Sequence, residues 1–174
     1  MTAVLSEWVR DVVEQRMREH LADPDPDWMS PAPGLRPPAT PDQVAELERW
    51  MGQPLDPTYA EFLLQGDGMA HFDRSMPVFG WSDWAGGTPP EAGGAFVDLV
   101  QGEFCVDCGL APDVLLAPVS VDSDGSAGIL MIPPGAGPGR FMWFGNGDLA
   151  FFPTFREIFE YAVDHGRWKD YAAT

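Results

Sequence analysis

The chain has 174 residues, of which 45% are hydrophobic and 12% aromatic, so it can build one domain with a substantial core and is not expected to be disordered. Its 27 acidic and 10 basic residues give a formal net charge of -17, which disfavours direct binding to DNA or RNA because carboxylates repel phosphates. No apolar run approaches the roughly 20 residues of a membrane-spanning helix, and the first residues lack the basic start and apolar block of a secretory signal.

The first 39 residues predict a helix followed by a proline-rich strap. Residues 4–21 carry apolar side chains at three- and four-residue spacing, the pattern of an amphipathic helix, which we expect to pack on its own domain. The next segment, ADPDPDWMSPAPGLRPPATP, holds seven prolines and cannot continue a helix. It is either an extended linker or a strap on the domain, with Trp28 and Met29 packed inward.

Two short helices with clear start and stop signals come next. Thr40 and Gln43 form a capping-box pattern before the second helix, which Gly52 can end in a left-handed conformation. Asp56 is predicted to cap the third helix. Three side chains of this helix are predicted to face the core: Tyr59, Phe62 and Leu63.

After these helices the sequence changes to short β-branched and aromatic runs separated by Gly-, Pro- and Asp-rich clusters. The runs are residues 76–81, 95–100, 114–121, 128–132, 140–145 and 149–153. They predict an antiparallel sheet of about six strands, with a hairpin at Asn146 and Gly147. Thr154 and Glu157 form the capping box of a last helix. The predicted fold class is α+β: a single domain, residues 40–174, with helices packed on one face of the sheet, preceded by an N-terminal helix and strap in residues 1–39.

Two motifs resemble known ligand sites without completing them. Cys105 and Cys108 have C-x-x-C spacing, but zinc needs four N or S ligands and no histidine lies at the expected spacing. Two buried or half-buried thiols are the favoured interpretation, so no metal or other cofactor is predicted, and the pair remains the candidate for a metal or redox module. Two cysteines are also too few for a disulfide framework, which favours a cytoplasmic protein. The run DSDGS starts like a calcium loop but has Ala127 and Pro133 where the loop needs glycine and glutamate, so a turn is favoured.

The acidic residues are concentrated in the predicted sheet and its loops. Residues 66–155 contain 11 acids and two arginines, and acidic loops on a rigid scaffold suit the binding of a basic protein surface. Plain solubility is the alternative explanation. Two tryptophans beside a glycine loop are candidate interface anchors, or caps of the core at a strand end. The predicted partner-binding residues are Asp67, Asp73, Trp81, Asp83, Trp84, Asp122, Asp124 and Asp148.

Residues 40–69, TPDQVAELERWMGQPLDPTYAEFLLQGDGM, resemble the signature of the SUKH superfamily. The matching residues are Leu47, Glu48, Leu55, Pro57, Tyr59, Phe62, Leu63 and Gly68. Residues 147–166 are similar to the last strand and closing helix of that family, so the resemblance covers most of the chain. The sequence departs from the family in an extra residue, Asp56, and in having Asp67 where the family usually has asparagine.

The resemblance implies a non-enzymatic α+β protein. Many bacterial members are immunity proteins that bind and block a toxin, often a nuclease, and fungal relatives regulate cell-wall synthesis. We therefore expect an immunity protein, a monomer or weak homodimer, that neutralises a basic toxin domain through its acidic surface. A regulatory scaffold without a toxin and a metal or redox module remain the alternatives.

Overall fold

The computed structural model describes residues 4–23, 32–84, 86–145 and 147–173, so Trp28, Met29 and Asn146 lie outside the described residues. The predicted α+β class is confirmed. The helices are α1 (Glu7–Ala22), α2 (Pro41–Met51), α3 (Pro57–Leu63), α4 (Glu91–Leu99), α5 (Phe155–Val163) and α6 (Trp168–Tyr171). The strands are β1 (Gly34–Leu35), β2 (Met69–Asp73), β3 (Met76–Val78), β4 (Ala117–Val121), β5 (Ala127–Met131), β6 (Phe141–Gly145) and β7 (Asp148–Phe152).

The predicted single sheet of about six strands is wrong, because the described strands form two antiparallel sheets. One has the order β1-β2-β3 and the other β4-β5-β6-β7. The sheets adjoin just beyond β3, where the backbone N–H of Phe79 donates to the carbonyl of Val119 at 2.8 Å. The sequence pattern missed β1, which has two residues, and β2, in which His71 has a φ of 52° and the strand register shifts.

The predicted strand at residues 95–100 is also wrong, since this segment lies in α4 and in the π-helical turn Val100–Phe104 that continues it. A run of six largely apolar residues fits a strand or a buried helix equally well. The packing settles the matter: Phe96 and Val100, one helical turn apart, are buried, whereas Asp98 between them is exposed.

Helices cover both faces of the four-stranded sheet, so the prediction that they pack on one face is wrong as well. All five residues of β4 and of β5 are buried. Alternate side chains of β5 enter two separate clusters: Ile129 joins the core with α1, α3 and α5, and Leu130 joins a second core with α4. A strand buried on both faces loses its polar alternation, so the sequence does not reveal the second helical layer.

The predicted caps at Thr40, Gly52 and Asp56 are confirmed, and Thr154 caps α5 by accepting the backbone N–H of Glu157. Thr40 and Gln43 exchange hydrogen bonds as a capping box, and Gly52 ends α2 in the left-handed conformation at φ 69°. The amphipathic N-terminal helix packs on the domain's own core: Trp8 lies edge-on to Phe159 with ring centroids 5.2 Å apart. α1 is therefore part of the domain's packing.

Two glycine substitutions test whether α4 is a helix packed on the sheet. Gly94 lies inside α4 with nothing closer than 3.8 Å to an added Cβ, so Gly94→Ala is expected to raise the free energy of unfolding by about 0.5–1 kcal/mol. Gly128 of β5 lies against Phe96, and an added Cβ would be 2.6 Å from its ring, so Gly128→Ala should cost about 1–3 kcal/mol. Urea unfolding of both variants measures the changes; destabilisation by Gly94→Ala would argue against the helix.

Candidate functional site

Three chain reversals and one helix terminus meet at one end of the fold, called here the hairpin end. It comprises the β2–β3 turn (residues 73–76), the β4–β5 turn (residues 122–127), the ends of the β6–β7 hairpin at Gly145 and Asp148, and the α5 terminus with Tyr161 and His165. Successive antiparallel strands return alternate turns to the same end of a sheet, which brings the β4–β5 and β6–β7 turns together.

The hairpin end surrounds a cavity of about 380 Å³. Its lining includes three of the predicted partner-binding residues, Asp73, Asp122 and Asp148, and one arginine, Arg74. Trp143 and Tyr161 provide its aromatic surface. The cavity is thus an acidic and aromatic site, assembled from residues far apart in the sequence.

Asp73 connects the cavity to a buried hydrogen-bond network centred on Arg16. Arg16 of α1 is buried and donates from Nε to the carbonyl of Phe72 (2.7 Å) and from Nη2 to the carbonyl of Ala162 (2.5 Å). The Nη2 atom also lies 3.7 Å from Oδ1 of Asp73. Arg16 therefore joins α1, β2 and the end of α5 behind the cavity.

Asp122 is committed to shaping the β4–β5 turn. Its carboxylate accepts hydrogen bonds from the hydroxyl of Ser126 (2.8 Å) and the backbone N–H of Ala127 (3.1 Å), and the residue is buried. Asp124 is exposed, and hydrogen bonds from Ser126 hold the pKa of its carboxyl below the usual range. The DSDGS segment is a turn, as predicted, with Gly125 in the left-handed conformation at φ 72°. Asp124 does not line the cavity.

Asp148 and the aromatic pair complete the cavity. Asp148 begins β7 and is exposed, so its carboxylate is available to a partner. The rings of Trp143 and Tyr161 meet edge to face, with centroids 5.4 Å apart and planes at 89°. Burial, with Asp73 nearby, raises the pKa of the Tyr161 hydroxyl, so this side chain is neutral at physiological pH.

The other predicted acids lie in a separate group, where they serve the fold. Asp67 is buried and accepts the backbone N–H groups of Trp81 (2.6 Å) and Ser82 (3.1 Å). Asp83 forms a two-pronged ion pair with Arg36, whose Nε donates to the carbonyl of Asp67 at 2.5 Å. The two carboxylates hold the short 3₁₀ helix Trp81–Asp83 in place.

The two predicted tryptophan anchors differ in position. Trp84 is 4% exposed and belongs to the core, where its Nε1 has no hydrogen-bond partner among the described residues. Trp81 is half-buried and stacks on Trp50, with centroids 6.1 Å apart and planes at 15°. Its indole N–H donates to Glu46 at 2.8 Å, so Trp81 has an intramolecular partner on both its ring face and its nitrogen.

Cys105 and Cys108 are free thiols in the turn after the π-helical segment, rather than among strands. Cys105 is buried and Cys108 half-buried, and burial raises the pKa of both thiols. Within the described ranges, no three His, Cys, Asp or Glu side chains are grouped so as to hold a metal ion.

Sequence reasoning missed Arg16, Trp143, Tyr161 and His165 as residues of this site. Arg16 carried a signal: it lies four residues after Val12 and eight after Trp8, so it occupies the apolar face of α1. A charged residue in that stripe indicates a buried ion pair. The other three lie on β6 or at the end of α5, and no local pattern links them to the acidic turns.

A scan against models of known protein families gave no match, and a search of curated proteins gave none either. The resemblance to SUKH proteins therefore stays a prediction. None of the helices in the described part of the chain is both long and apolar enough to cross a membrane.

Proposed function

We propose that this protein is a non-enzymatic immunity protein that neutralises a basic toxin domain by binding it at the hairpin end. The observation that carries the proposal is the convergence of Asp73, Asp122 and Asp148 on one cavity, whose described lining residues include one arginine. Acidic loops held by a rigid sheet attract a basic partner and orient it on approach. The proposal for a toxin, rather than another basic protein, depends on the SUKH-like sequence of residues 40–69.

The hairpin end suits this role better than the second acidic group. The charge of Asp83 is paired with Arg36, and Asp67 is buried with its oxygens bonded to backbone N–H groups, so neither carboxylate is open to a partner. Asp148 is exposed. The carbonyl end of α5 adds partial negative charge on the same side, because Tyr161 and His165 bring the helix terminus to the cavity.

The proposal predicts a toxic partner. The tagged protein should capture a basic protein from the source cells at low salt and release more of it at high salt. Expression of that captured protein alone should arrest growth in a test host, and co-expression with this chain should restore growth.

A charge reversal at the cavity tests the site. Asp148→Lys should weaken the rescue, whereas Asp113→Lys, an exposed acid that does not line the cavity, should leave it intact. Reversal of Asp122 is a poor test because its carboxylate shapes the turn. A captured protein that is harmless when expressed alone would contradict the immunity proposal and favour a regulatory scaffold.

A further inference from the structure

We propose that the cavity at the hairpin end holds one arginine side chain of the partner, an inference that rests on the proposed function for the source of that arginine. The lining offers what a guanidinium requires: carboxylates on more than one side, and aromatic rings.

The most informative group is the carboxylate of Asp73, which lines the cavity with unused hydrogen-bonding capacity. Asp73 is only 8% exposed, and its Oδ1 has no hydrogen-bond partner among the described residues. Two nitrogen atoms lie nearby, His165 Nε2 at 3.4 Å and Arg16 Nη2 at 3.7 Å, but neither makes a hydrogen bond to Oδ1. A buried carboxylate oxygen without a donor is unfavourable, so a donor from a ligand is stabilised there.

His165 is the half-exposed neighbour of Asp73 in the cavity, with Nε2 3.4 Å from Oδ1. The imidazole lines the cavity and its side chain is 46% exposed, so a ligand that donates to Asp73 can displace it toward solvent. Arg16 is held by hydrogen bonds to Phe72, Ala162 and Glu19, and its Nη2 stays 3.7 Å from Oδ1 of Asp73, beyond hydrogen-bond distance. Asp73 therefore has one neighbour that is buried and held by hydrogen bonds, Arg16, and one that is half exposed and can move, His165.

The aromatic walls favour arginine over lysine. Trp143 and Tyr161 line the cavity, and the imidazole of His165 packs on the Tyr161 ring with centroids 4.9 Å apart, so a ligand that displaces His165 also uncovers that ring. A planar guanidinium stacks on an aromatic ring and still directs its N–H groups sideways to carboxylates, which the compact ammonium of lysine does less well. Asp148 at the exposed side and Asp122 in the turn supply the surrounding negative charge.

Among the described residues that line the cavity, Arg74 is the arginine, and its charge opposes a cationic ligand. It is exposed and lies in the β2–β3 turn with φ 53°. Because its side chain reaches solvent, it can move away, but its charge lowers affinity. Arg74→Gln is therefore expected to strengthen binding of a guanidinium.

The test uses the folded full chain and a small probe, N-acetyl-arginine methylamide. Titration should give saturable chemical-shift changes at the backbone amides of Ser75 and Gly145, two residues of the lining. The dissociation constant fitted to these changes should lie in the millimolar range. The neutral citrulline analogue should give no such changes, and the lysine analogue should bind more weakly. Free L-arginine should bind no more tightly than the blocked form, since the site takes the side chain alone.

Two variants locate the probe. Asp148→Asn should weaken binding about threefold, the size of a largely exposed ion pair, whereas Asp113→Asn should leave it unchanged. Equal binding of the arginine and citrulline analogues, or shifts away from the cavity, would overturn the inference.

The arginine pocket and the immunity role can fail independently of each other. Arginine binding at the cavity without any basic toxin partner would support the cation site and contradict the immunity role. A basic toxin that binds at the hairpin end while the probe gives no shifts at Ser75 and Gly145 would overturn the arginine pocket and leave the immunity role intact.

Discussion

Replacing Asp56 by alanine is expected to lower the free energy of unfolding by about 3 kcal/mol, the combined cost of a lost helix cap and of buried N–H groups without an acceptor. Asp56 is 3% exposed, and its Oδ1 accepts from the backbone N–H groups of Thr58, Tyr59 and Phe155, each at 3.1 Å. One oxygen thus caps α3 and also receives the first N–H of α5. The extra residue that separates this chain from the SUKH pattern is therefore a structural link between two helices.

Asp56→Asn is the matched control for this prediction. The amide oxygen can accept the same backbone donors, so the loss should be about 1 kcal/mol or less. Urea denaturation with the slope and midpoint fitted together measures both variants. If Asp56→Ala and Asp56→Asn lost the same stability, the shared backbone acceptor would not be the cause.

Replacing Arg16 by methionine is expected to lower the free energy of unfolding by about 3 kcal/mol, because it leaves buried partners without their cation. The carbonyls of Phe72 and Ala162 each lose a hydrogen bond, and Asp73 loses the guanidinium that lies 3.7 Å away. Methionine fills similar space without the donors, so the change measures the polar contacts rather than a cavity.

Arg18→Met is the control, since Arg18 lies on the same helix with a side chain that is 70% exposed. Its i,i+4 pair with Glu14, at 3.8 Å, is worth about 0.5 kcal/mol or less. The free energies of unfolding of the two variants, measured by thermal and urea denaturation, should differ by more than about 2 kcal/mol. Equal stabilities would show that α1 is held by its apolar face alone.

The sequence predicted the parts of the fold that depend on neighbouring residues. Thr40 with Gln43, Asp56 and Gly52 are local signals, because a cap involves residues within one helical turn. The β6–β7 hairpin is local in the same sense, with Phe141 paired to Phe152. The strand predicted for residues 95–100 was wrong because a six-residue apolar run is too short to show a helical or a strand period. The packing of Phe96 against Gly128 depends on tertiary structure, which the sequence does not reveal.

The site was predictable only in part, for a related physical reason. Asp73, Asp122 and Asp148 were each predicted from turn-rich, acidic sequence, yet their meeting at one cavity depends on strand order. Sequence alone also could not separate them from Asp67 and Asp83, whose carboxylates are satisfied by a distant arginine and by backbone donors. Charge is visible in a sequence, whereas the availability of that charge depends on tertiary contacts.

Binding of a basic toxin at the hairpin end is tested most directly by the rate at which the captured partner associates with the protein at low and at high salt. The rate for the unaltered protein should fall as salt rises, because screening weakens long-range attraction. Asp148→Lys should slow association at low salt, and Asp113→Lys should slow it less. A rate that is indifferent to salt, or equal for the two variants, would contradict binding at this end of the fold.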